Sequence, residues 1–228
     1  MSKIRLAKFI ADSGHCSRRQ ASRLIDQGNV LVNNKLANHI DHVDLTDKVF
    51  IHGEPLHIQT EKYYYAINKP IGVDCKLIKE KPDSLIHLLP DSTRLYPIGR
   101  LDKDSHGLLL LTNDGELCHQ LNHPDYIKEK EYRVTTCKTI DADFCHKMMT
   151  GVPVKGQITR PCTVKQLSDR QFMIILTQGL NRQIRRMTQF CGNHVTDLQR
   201  IRIASLTLSQ LNLAPGEICK IKKEDIIS

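Results

Sequence analysis

Hydrophobic and polar positions in the first sixty residues follow the pattern of a small module that begins with two short helices. From residue 4 to 13 apolar side chains recur at helical spacing, and Gly14 follows as a stop signal. A second helix is predicted over 18–27, with Ser17 as its N-cap and Gly28 just beyond its end. Each helix has one apolar stripe and therefore needs a surface to cover it.

Short strands are predicted after these helices. An apolar run at 30–32 leads into Asn33 and Asn34 and then into the pair at 35–36. This is a hairpin signal, because asparagine tolerates positive φ in a tight turn. The segment 47–53 predicts a second strand pair. Helices and hairpins together indicate a small α/β domain.

The rest of the chain changes to a mainly strand-like pattern with a few helices. We expect two domains, 1–60 and 61–228, with Glu61 and Lys62 as the linker. The segments are short and do not alternate regularly, so the pattern favours an α+β fold, with a mainly antiparallel mixed sheet flanked by helices, over a doubly wound fold. The predicted strands are 63–67, 108–111, 132–136, 172–176 and 201–208. The predicted helices are 115–121, 141–149 and 183–190.

Composition narrows the class of protein. Of the 228 residues, 40% are hydrophobic and 25% are charged, as in globular proteins. The longest apolar runs are about five residues, far short of the roughly 20 that cross a bilayer, so no membrane partner is expected. The eight cysteines stand singly, and no apolar stretch follows the basic residues at the start. We therefore expect a reduced, cytoplasmic protein without a secretory signal.

The net charge of +8 favours a polyanionic partner such as nucleic acid. Residues 1–30 carry six basic and two acidic side chains, whereas residues 31–60 carry two and four, so the basic face belongs to the helices. A solvated helix surface would show the same charge, and both interpretations stay open here. Aromatic residues make up only 5% and Trp is absent, which disfavours a single-strand binder built on base stacking.

Asp102 is the strongest candidate for chemistry. Pro97 and Gly99 break the chain before it, and Gly107 returns the chain to an apolar strand. A loop that is braced at both ends can present a reactive side chain at a defined geometry. The alternative is an ordinary charged turn in which Asp102 and Asp104 meet only water.

A cluster of arginines opens the predicted helix at 183–190. If Asn181 caps this helix, Arg182, Arg185 and Arg186 project from its first turns. Such a cluster is usually a solvated face or a phosphate contact. Arg185 is the member that could point into a cleft, and it would need a partner there because burying a lone charge is costly.

Two further segments adjoin predicted strands. Tyr132 follows Lys130 at the start of a predicted strand, where a tyrosine commonly fills the core with its hydroxyl tied to the backbone. Lys69, Pro70 and Gly72 form a rigid turn after the first strand of the second domain.

The N-terminal module resembles the S4 RNA-binding domain. It combines two short helices, a small hairpin sheet and a basic helix face, and the strings 17–21 and 28–33 are similar to the core pattern of that family. Asn34 stands where the family usually has glycine. The turn should survive this change, because asparagine also visits the left-handed region.

The motifs of the second domain resemble those of pseudouridine synthases. The string 99–115 resembles their motif II and 69–72 their motif I, while 130–132 resembles the KxY segment. Residues 182–187 with 198–200 resemble motif III and its extension. Order and spacing match over essentially the whole chain, and the appended S4-like module makes the combination similar to the RsuA/RluB/RluF branch.

This resemblance implies a reaction and its residues. The N1–C1′ bond of uridine is broken and the base is rejoined through C5, with Asp102 as the carboxylate that attacks C1′ or abstracts the 2′ hydrogen. Arg185 would pair with Asp102, Tyr132 would serve as base or relay for the C5 hydrogen, and Arg100 would fill the space that the flipped-out uridine leaves. The chemistry is redox-neutral and breaks no phosphate bond, so no cofactor and no metal are expected.

The resemblance also implies ribosomal RNA as the partner of a monomeric enzyme. The strings 99–105, 151–153 and 178–187 most resemble members of the branch that act on the large subunit, which favours 23S over 16S rRNA. The residues expected to contact RNA are Arg100, Lys69, Lys130, Arg5, Lys8, Arg18, Arg19, Arg23, Lys35, Arg182 and Arg186.

Two other functions compete with this one. The first is a ribosome assembly factor that binds RNA through the S4-like module and carries an inactive catalytic domain. The second is a metal hydrolase, suggested by His119 and His123 at a spacing that shares one helix face. No carboxylate or third ligand completes that pattern, so the metal site is disfavoured.

Overall fold

The computed structural model describes residues 3–91, 93–123 and 126–227. The chain divides into two compact units. The small unit comprises residues 1–63 with the short segments 90–95 and 113–115, and the large unit comprises the remainder. None of the described helices is long and apolar enough to cross a bilayer.

The small unit contains the predicted helices and hairpins. In chain order its elements are β1 (Ile4–Arg5), α1 (Leu6–Asp12), α2 (Arg18–Asp26), β2 (Val30–Val32), β3 (Lys35–Leu36), β4 (His42–Val43), β5 (Val49–Ile51) and β6 (Glu54–Pro55). Strands β3, β2, β5 and β6 form one antiparallel sheet in that order, and β1 pairs with β4. The buried side chains of both helices pack with those of the sheet in a single core.

Local sequence signals explain this unit. Ser17 caps α2 as predicted: its side chain accepts a hydrogen bond from the Gln20 amide at 3.2 Å, and the Gln20 side chain accepts one from the Ser17 amide at 3.2 Å. The asparagine turn is also confirmed, with φ of 50° at Asn33 and 64° at Asn34. The Asn33 side chain accepts a further hydrogen bond from the Lys48 amide at 3.0 Å, which ties the turn to the next strand.

The large unit is built around one long sheet. In chain order the remaining elements are β7 (Tyr64–Lys69), a 3-10 helix (Leu85–Leu88), β8 (Tyr96–Ile98), β9 (His106–Thr112), α3 (Gly115–Asn122), β10 (Lys130–Thr136), α4 (Ala142–Thr150), β11 (Pro153–Val154), β12 (Gln157–Ile158), β13 (Thr163–Ser168), β14 (Gln171–Leu176), α5 (Gln183–Phe190), β15 (Val195–Ile203), β16 (Leu206–Thr207), α6 (Leu208–Leu211) and β17 (Ile218–Lys220).

The strand order is β13-β14-β10-β15-β9-β7-β17, with β8 added to β9 and β16 added to β15. Among the described strands of this sheet, every pair is antiparallel except β9 with β15. The predicted α+β fold with a mainly antiparallel mixed sheet and flanking helices is therefore confirmed.

Alternation and burial account for the sheet. In β14, Phe172, Ile174 and Leu176 are buried and pack with Phe144 and Met148 of α4, while the residues between them are partly exposed. In β9, by contrast, all four residues of the run 108–111 are at most 1% exposed. A central strand that is covered on both faces shows such a continuous apolar run.

Most observed boundaries lie within a few residues of the predicted ones, and two starting points differ in kind or by more than a few residues. Strand β15 begins at Val195, well before the predicted start at residue 201, because Asp197 and Arg200 interrupt the apolar alternation on which the prediction relied. Residues 4–5 pair with β4 as a strand instead of opening the first helix. In both places long-range pairing overrides the local periodicity.

Candidate active site

Asp102 lies in the wall of an open cleft of about 860 Å³ that is formed entirely by the large unit. Tyr132 of β10, Arg182 at the start of α5 and Arg200 of β15 line the same cleft, as does the exposed Arg100. Segments far apart in sequence therefore meet around one carboxylate. The cleft is strongly basic, with eight lysines and arginines along its lining and two aspartates.

The backbone around Asp102 is held from both sides. The Gly72 amide donates to the Lys103 carbonyl at 2.8 Å. The Cys75 thiol donates to the Leu101 carbonyl at 3.3 Å and accepts from the Leu101 amide at 3.4 Å. The turn after β7 thus braces the residues before and after Asp102. Sequence reasoning identified the turn as rigid but missed Cys75.

The predicted pairing of Asp102 with Arg185 is wrong. Arg182 is the arginine beside Asp102, with 3.5 Å between Nη1 and Oδ2. Arg182 also forms a bidentate contact with Asp104, at 3.1 and 2.8 Å. In the described part of the chain, Asp102 has no ion pair with Arg185.

The local structure of α5 explains this exchange of partners. The prediction that Asn181 caps this helix is wrong. Arg182 is the N-cap, and it adopts a left-handed conformation with φ of 54°. The side chain of Gln183 accepts the Leu180 amide at 2.9 Å and so fixes the turn before the helix. The helix begins at Gln183 as predicted, and Arg182, the residue before it, lies on the side of the Asp102 loop.

Arg185 holds the backbone of the same loop. Its guanidinium donates to the Asp104 carbonyl at 2.8 Å, to the Ser105 hydroxyl at 3.2 Å and to the Val195 carbonyl at 3.3 Å. Its side chain is 13% exposed and lies 3.4 Å from an Asp104 carboxylate oxygen. The expectation that a largely buried Arg185 would have partners is met, but the partners differ from those predicted.

Asp104 is the carboxylate whose pKa the two neighbouring arginines lower. The hydrogen bond from Arg182 is the main cause that lowers the pKa of Asp104, and the neighbouring Arg185 charge adds to it. The same hydrogen bond raises the pKa of Arg182 above its ordinary value. Asp104 therefore stays ionised and ties the start of α5 to the Asp102 loop.

Two lysines that were expected to contact RNA are fully or partly buried. Lys69 is 0% exposed and donates to the Pro70 carbonyl at 2.9 Å and to the Val73 carbonyl at 2.8 Å. Its predicted contact with RNA is wrong, because a fully buried ammonium cannot reach a phosphate. Lys130 is partly buried in the cleft wall, where it donates to the Leu121 carbonyl at 3.4 Å.

Burial lowers the pKa of both lysines. For Lys69 the loss of hydration is the main cause, and nearby acidic groups oppose it in part. For Lys130 burial lowers the pKa to about 8, and the positive charge of Arg200 acts in the same direction. Both ammonium groups therefore release their protons more readily than an exposed lysine does.

Arg200 is a cleft residue whose role sequence reasoning missed. It is 1% exposed, and its Nε donates to the Leu108 carbonyl at 2.7 Å. Nη2 of the same guanidinium is buried and has no hydrogen-bond partner in the part of the chain that the structure describes. In the sequence, Arg200 stands out as a charged residue between the apolar residues of a strand. That the side chain faces the cleft is visible only in the folded sheet.

The predicted basic face of the small unit is accessible. Arg5, Arg18, Arg19, Arg23 and Lys35 are exposed. Lys8 is partly buried and forms an ion pair with Asp12. Arg186 lies in the large unit, where its Nε donates to the Asn181 carbonyl at 3.2 Å.

The histidine pair does not form a metal site with other described residues. The rings of His119 and His123 are adjacent, with centroids 4.7 Å apart. Within residues 3–91, 93–123 and 126–227, no group of three or more His, Cys, Asp or Glu side chains is arranged to hold a metal ion.

Comparison with known proteins agrees with the fold. A model of the RNA pseudouridylate synthase family matches residues 63–190, and a model of the S4 domain matches residues 4–46. A crystal structure of a pseudouridylate synthase superposes with a TM-score of 0.72 at 28% identity, over 98% of each chain.

Three curated proteins are similar along almost the whole chain. The dual-specificity RNA pseudouridine synthase RluF of Salmonella typhi is 42% identical over 98% of this chain and 77% of its own length. RluF of Escherichia coli K12 is 41% identical, over 99% and 78%. The ribosomal small subunit pseudouridine synthase A of Escherichia coli K12 is 32% identical over 99% of both chains. The chain therefore belongs to the RNA pseudouridylate synthase family, carries an S4 domain, and converts uridine in RNA to pseudouridine.

Proposed function

We propose that this pseudouridine synthase modifies ribosomal RNA of the large subunit, 23S rRNA, as a cytoplasmic monomer. The higher identity to the two RluF proteins than to the small subunit enzyme supports this choice of substrate. Eight free cysteines support a reducing compartment. We also propose the domain boundary between residues 60 and 61.

The observation that carries the proposal is that Asp102 and Tyr132 line one basic cleft. In this proposal Asp102 provides the carboxylate that acts at C1′ or C2′, and Tyr132 accepts or relays the C5 proton. Arg100 is exposed at the cleft and fills the space left by the extruded nucleotide. The basic lining attracts the phosphates that flank the target uridine.

The experiment that tests the substrate is a comparison of ribosomal RNA from wild-type cells and from cells that lack the gene. Carbodiimide modification followed by primer extension maps every pseudouridine in both ribosomal RNAs. The proposal requires at least one missing signal in 23S rRNA that returns with the wild-type gene. Loss of a 16S signal alone would contradict it.

The two arginines beside the catalytic loop are assigned different tasks. Arg182 orients the Asp102 carboxylate, whereas Arg185 fixes the loop backbone. We expect Arg182→Gln to slow single-turnover pseudouridine formation by about 10- to 100-fold, because a misplaced reacting group has an effect of this size. We expect Arg185→Gln to cost about 2 kcal/mol of unfolding free energy, because several charge-assisted hydrogen bonds are lost.

The matched control for this pair is Arg186→Gln. The Arg186 guanidinium belongs to the same helix and forms one hydrogen bond with the described residues, to the Asn181 carbonyl. Urea unfolding and single-turnover kinetics are measured for all three variants. The assignment fails if Arg185→Gln slows the reaction more than Arg182→Gln at a temperature where both are folded.

The helix face of the S4 domain is proposed to supply RNA affinity without chemistry. Arg18, Arg19 and Arg23 are exposed on α2 and form no ion pair with a described residue. Replacing all three with Gln should reduce the slope of log K against log salt by about 0.7 to 0.9 for each phosphate that is no longer neutralised. Filter binding at several salt concentrations measures this slope.

A control variant separates a specific face from a general reduction of charge. Lys165, Arg170 and Lys222 are exposed on the large unit, and their triple replacement with Gln removes the same charge. We expect a smaller change of slope for this control. Equal slopes for the two triple variants would show that the α2 face has no special part in RNA binding.

A further inference from the structure

The floor of the catalytic cleft contains more positive charge than the described part of the chain balances. Arg200 is almost completely buried, and the one side-chain hydrogen bond that it forms with the described residues runs from Nε to the Leu108 carbonyl. Its Nη2 is buried without a partner among residues 3–91, 93–123 and 126–227, although the side chain lines the cleft. Burying an unpaired guanidinium is costly, so the missing partner is expected to arrive with the substrate.

Two lysines add to this charge. Lys69 is fully buried and Lys130 is partly buried, and both lie close enough to Arg200 for its charge to lower their pKa values. Among the described residues, neither lysine nor Arg200 forms an ion pair with a carboxylate. The ammonium of Lys69 is satisfied by two backbone carbonyls, whereas Lys130 has only one long hydrogen bond and borders the cleft.

The sheet register places these cations beside the proposed base-contacting residue. Arg200 is the direct cross-strand partner of Tyr132 in the β10–β15 pair. The ladder has a register shift between Glu131 and Tyr132, but Tyr132 and Arg200 both line the cleft, so the paired residues present their side chains on the same side. Lys130 is two residues before Tyr132 on the same strand, which places it on that face as well.

The reaction generates a negative charge at this place. When the N1–C1′ bond breaks, its electron pair leaves with uracil, and the base becomes an anion whose charge is shared by N1, O2 and O4. The base then turns, C5 bonds to C1′, the C5 proton is lost and N1 regains a proton. Donors that are fixed in a site of low polarity stabilise such a developing charge strongly.

We propose that the Arg200 guanidinium and the Lys130 ammonium bind the uracil base and hold its negative charge while it is detached from the ribose. Arg200 supplies the free Nη2 donor, and Lys130 supplies a second cation on the opposite strand. Neither residue acts on the ribose, which is the task of Asp102. The inference concerns the same site as the proposed catalytic roles, and its test is independent of which ribosomal RNA is modified.

The test compares two RNA substrates that differ in the stability of the detached base. Fluorine at C5 makes the uracil anion more stable, so a substrate with 5-fluorouridine at the target depends less on the cations. Single-turnover disappearance of the target nucleoside is measured for both RNAs, together with the dissociation constant for RNA. For Arg200→Met we expect a loss of about 10²- to 10³-fold with uridine. With 5-fluorouridine we expect the rate loss of Arg200→Met relative to wild type to be about tenfold smaller than with uridine. The affinity of Arg200→Met for RNA should stay as in the wild type.

Lys130→Met provides a second variant in case Arg200→Met does not fold. It removes a partly buried cation, so we expect the unfolding free energy at pH 7 to stay the same or rise while the uridine reaction slows. The control is Arg202→Gln on the same strand as Arg200, because Arg202 is engaged by Glu129 and Glu131 and does not line the cleft. For this control, the ratio of the rate with uridine to the rate with 5-fluorouridine should equal the wild-type ratio.

Three outcomes overturn the inference. Equal losses with the two substrates for both cleft variants would indicate a structural role. A weaker RNA affinity that accounts for the whole rate loss would indicate a phosphate contact. A wild-type rate for Lys130→Met and for a folded Arg200→Met would show that the cations take no part in the reaction.

Discussion

Replacing Asp102 with Asn is expected to lower the rate of pseudouridine formation by about 10³-fold or more. The amide has nearly the same shape, but it can neither attack C1′ nor accept the 2′ proton as a carboxylate does. The Asp102 side chain is 30% exposed and forms no hydrogen bond with another described residue, so the unfolding free energy should change little. RNA affinity should stay within a few-fold. Tritium release from RNA that carries uridine labelled at C5 measures the rate, and filter binding measures the affinity.

Asp74→Asn is the matched control for this variant. Asp74 is the second carboxylate that lines the cleft, and its Oδ1 accepts the Lys76 amide at 3.1 Å, a bond that an asparagine carbonyl can keep. We expect its activity to remain close to wild type. Full activity of Asp102→Asn would refute the assignment of the reactive carboxylate. An Asp102→Asn strain that lacks the modification but shows the wild-type ribosome assembly phenotype would favour an additional role as assembly factor.

Replacing Gly107 with Ala is expected to cost about 3 kcal/mol or more of unfolding free energy. Gly107 has φ of 102°, and an added Cβ would lie 2.3 Å from the carbonyl oxygen and 2.9 Å from the amide nitrogen of Arg200. Both atoms belong to the backbone, which cannot rotate away as a flexible side chain does. The methyl group would therefore separate β9 from β15 at their parallel junction. Urea unfolding measures the decrease in stability.

The same substitution should also slow the reaction in the folded fraction. Gly107 pairs with Arg200 and lies in the strand that directly follows the Asp102 loop, so a shift of this strand moves groups on two sides of the cleft. A displacement of about 1 Å at an active site costs about 10²-fold in rate. Kinetics at low temperature, where the variant is folded, test this second effect.

Gly156→Ala separates the clash from backbone strain. Gly156 also has positive φ, at 79°, but no atom lies within 4 Å of an added Cβ. Only the cost of the left-handed conformation should appear, at about 1 kcal/mol. If the two variants lose equal stability, the close approach of Gly107 to Arg200 is not the cause.

Most secondary structure of the chain follows from local patterns. Ser17 and Gln20 form the cap that begins α2, because a hydroxyl and an amide at this spacing satisfy the free ends of the first turn. Asn33 and Asn34 form the predicted hairpin turn because asparagine accepts positive φ. The apolar runs at 108–111 and 172–176 predicted two strands, and both are present.

The family of the enzyme was also accessible from the sequence. Four motifs in a fixed order, preceded by an S4-like module, indicated a pseudouridine synthase, and the family models match the same regions. Such motifs are informative because each one places a required residue type on a loop or strand end. They indicate which side chains are candidates for the site, but they contain no distances between them.

The partners within the site were decided only by the tertiary structure. Arg182 rather than Arg185 lies beside Asp102, because the helix begins at Gln183 and because two loops about eighty residues apart meet in one particular orientation. Lys69 is a buried structural cation and Arg200 a cleft residue, and local hydrophobic patterns cannot distinguish these two environments. Periodicity along a chain reports which face of an element is apolar. Ion pairs and buried charges depend instead on side chains from distant segments, whose separation is fixed only when the sheet has formed.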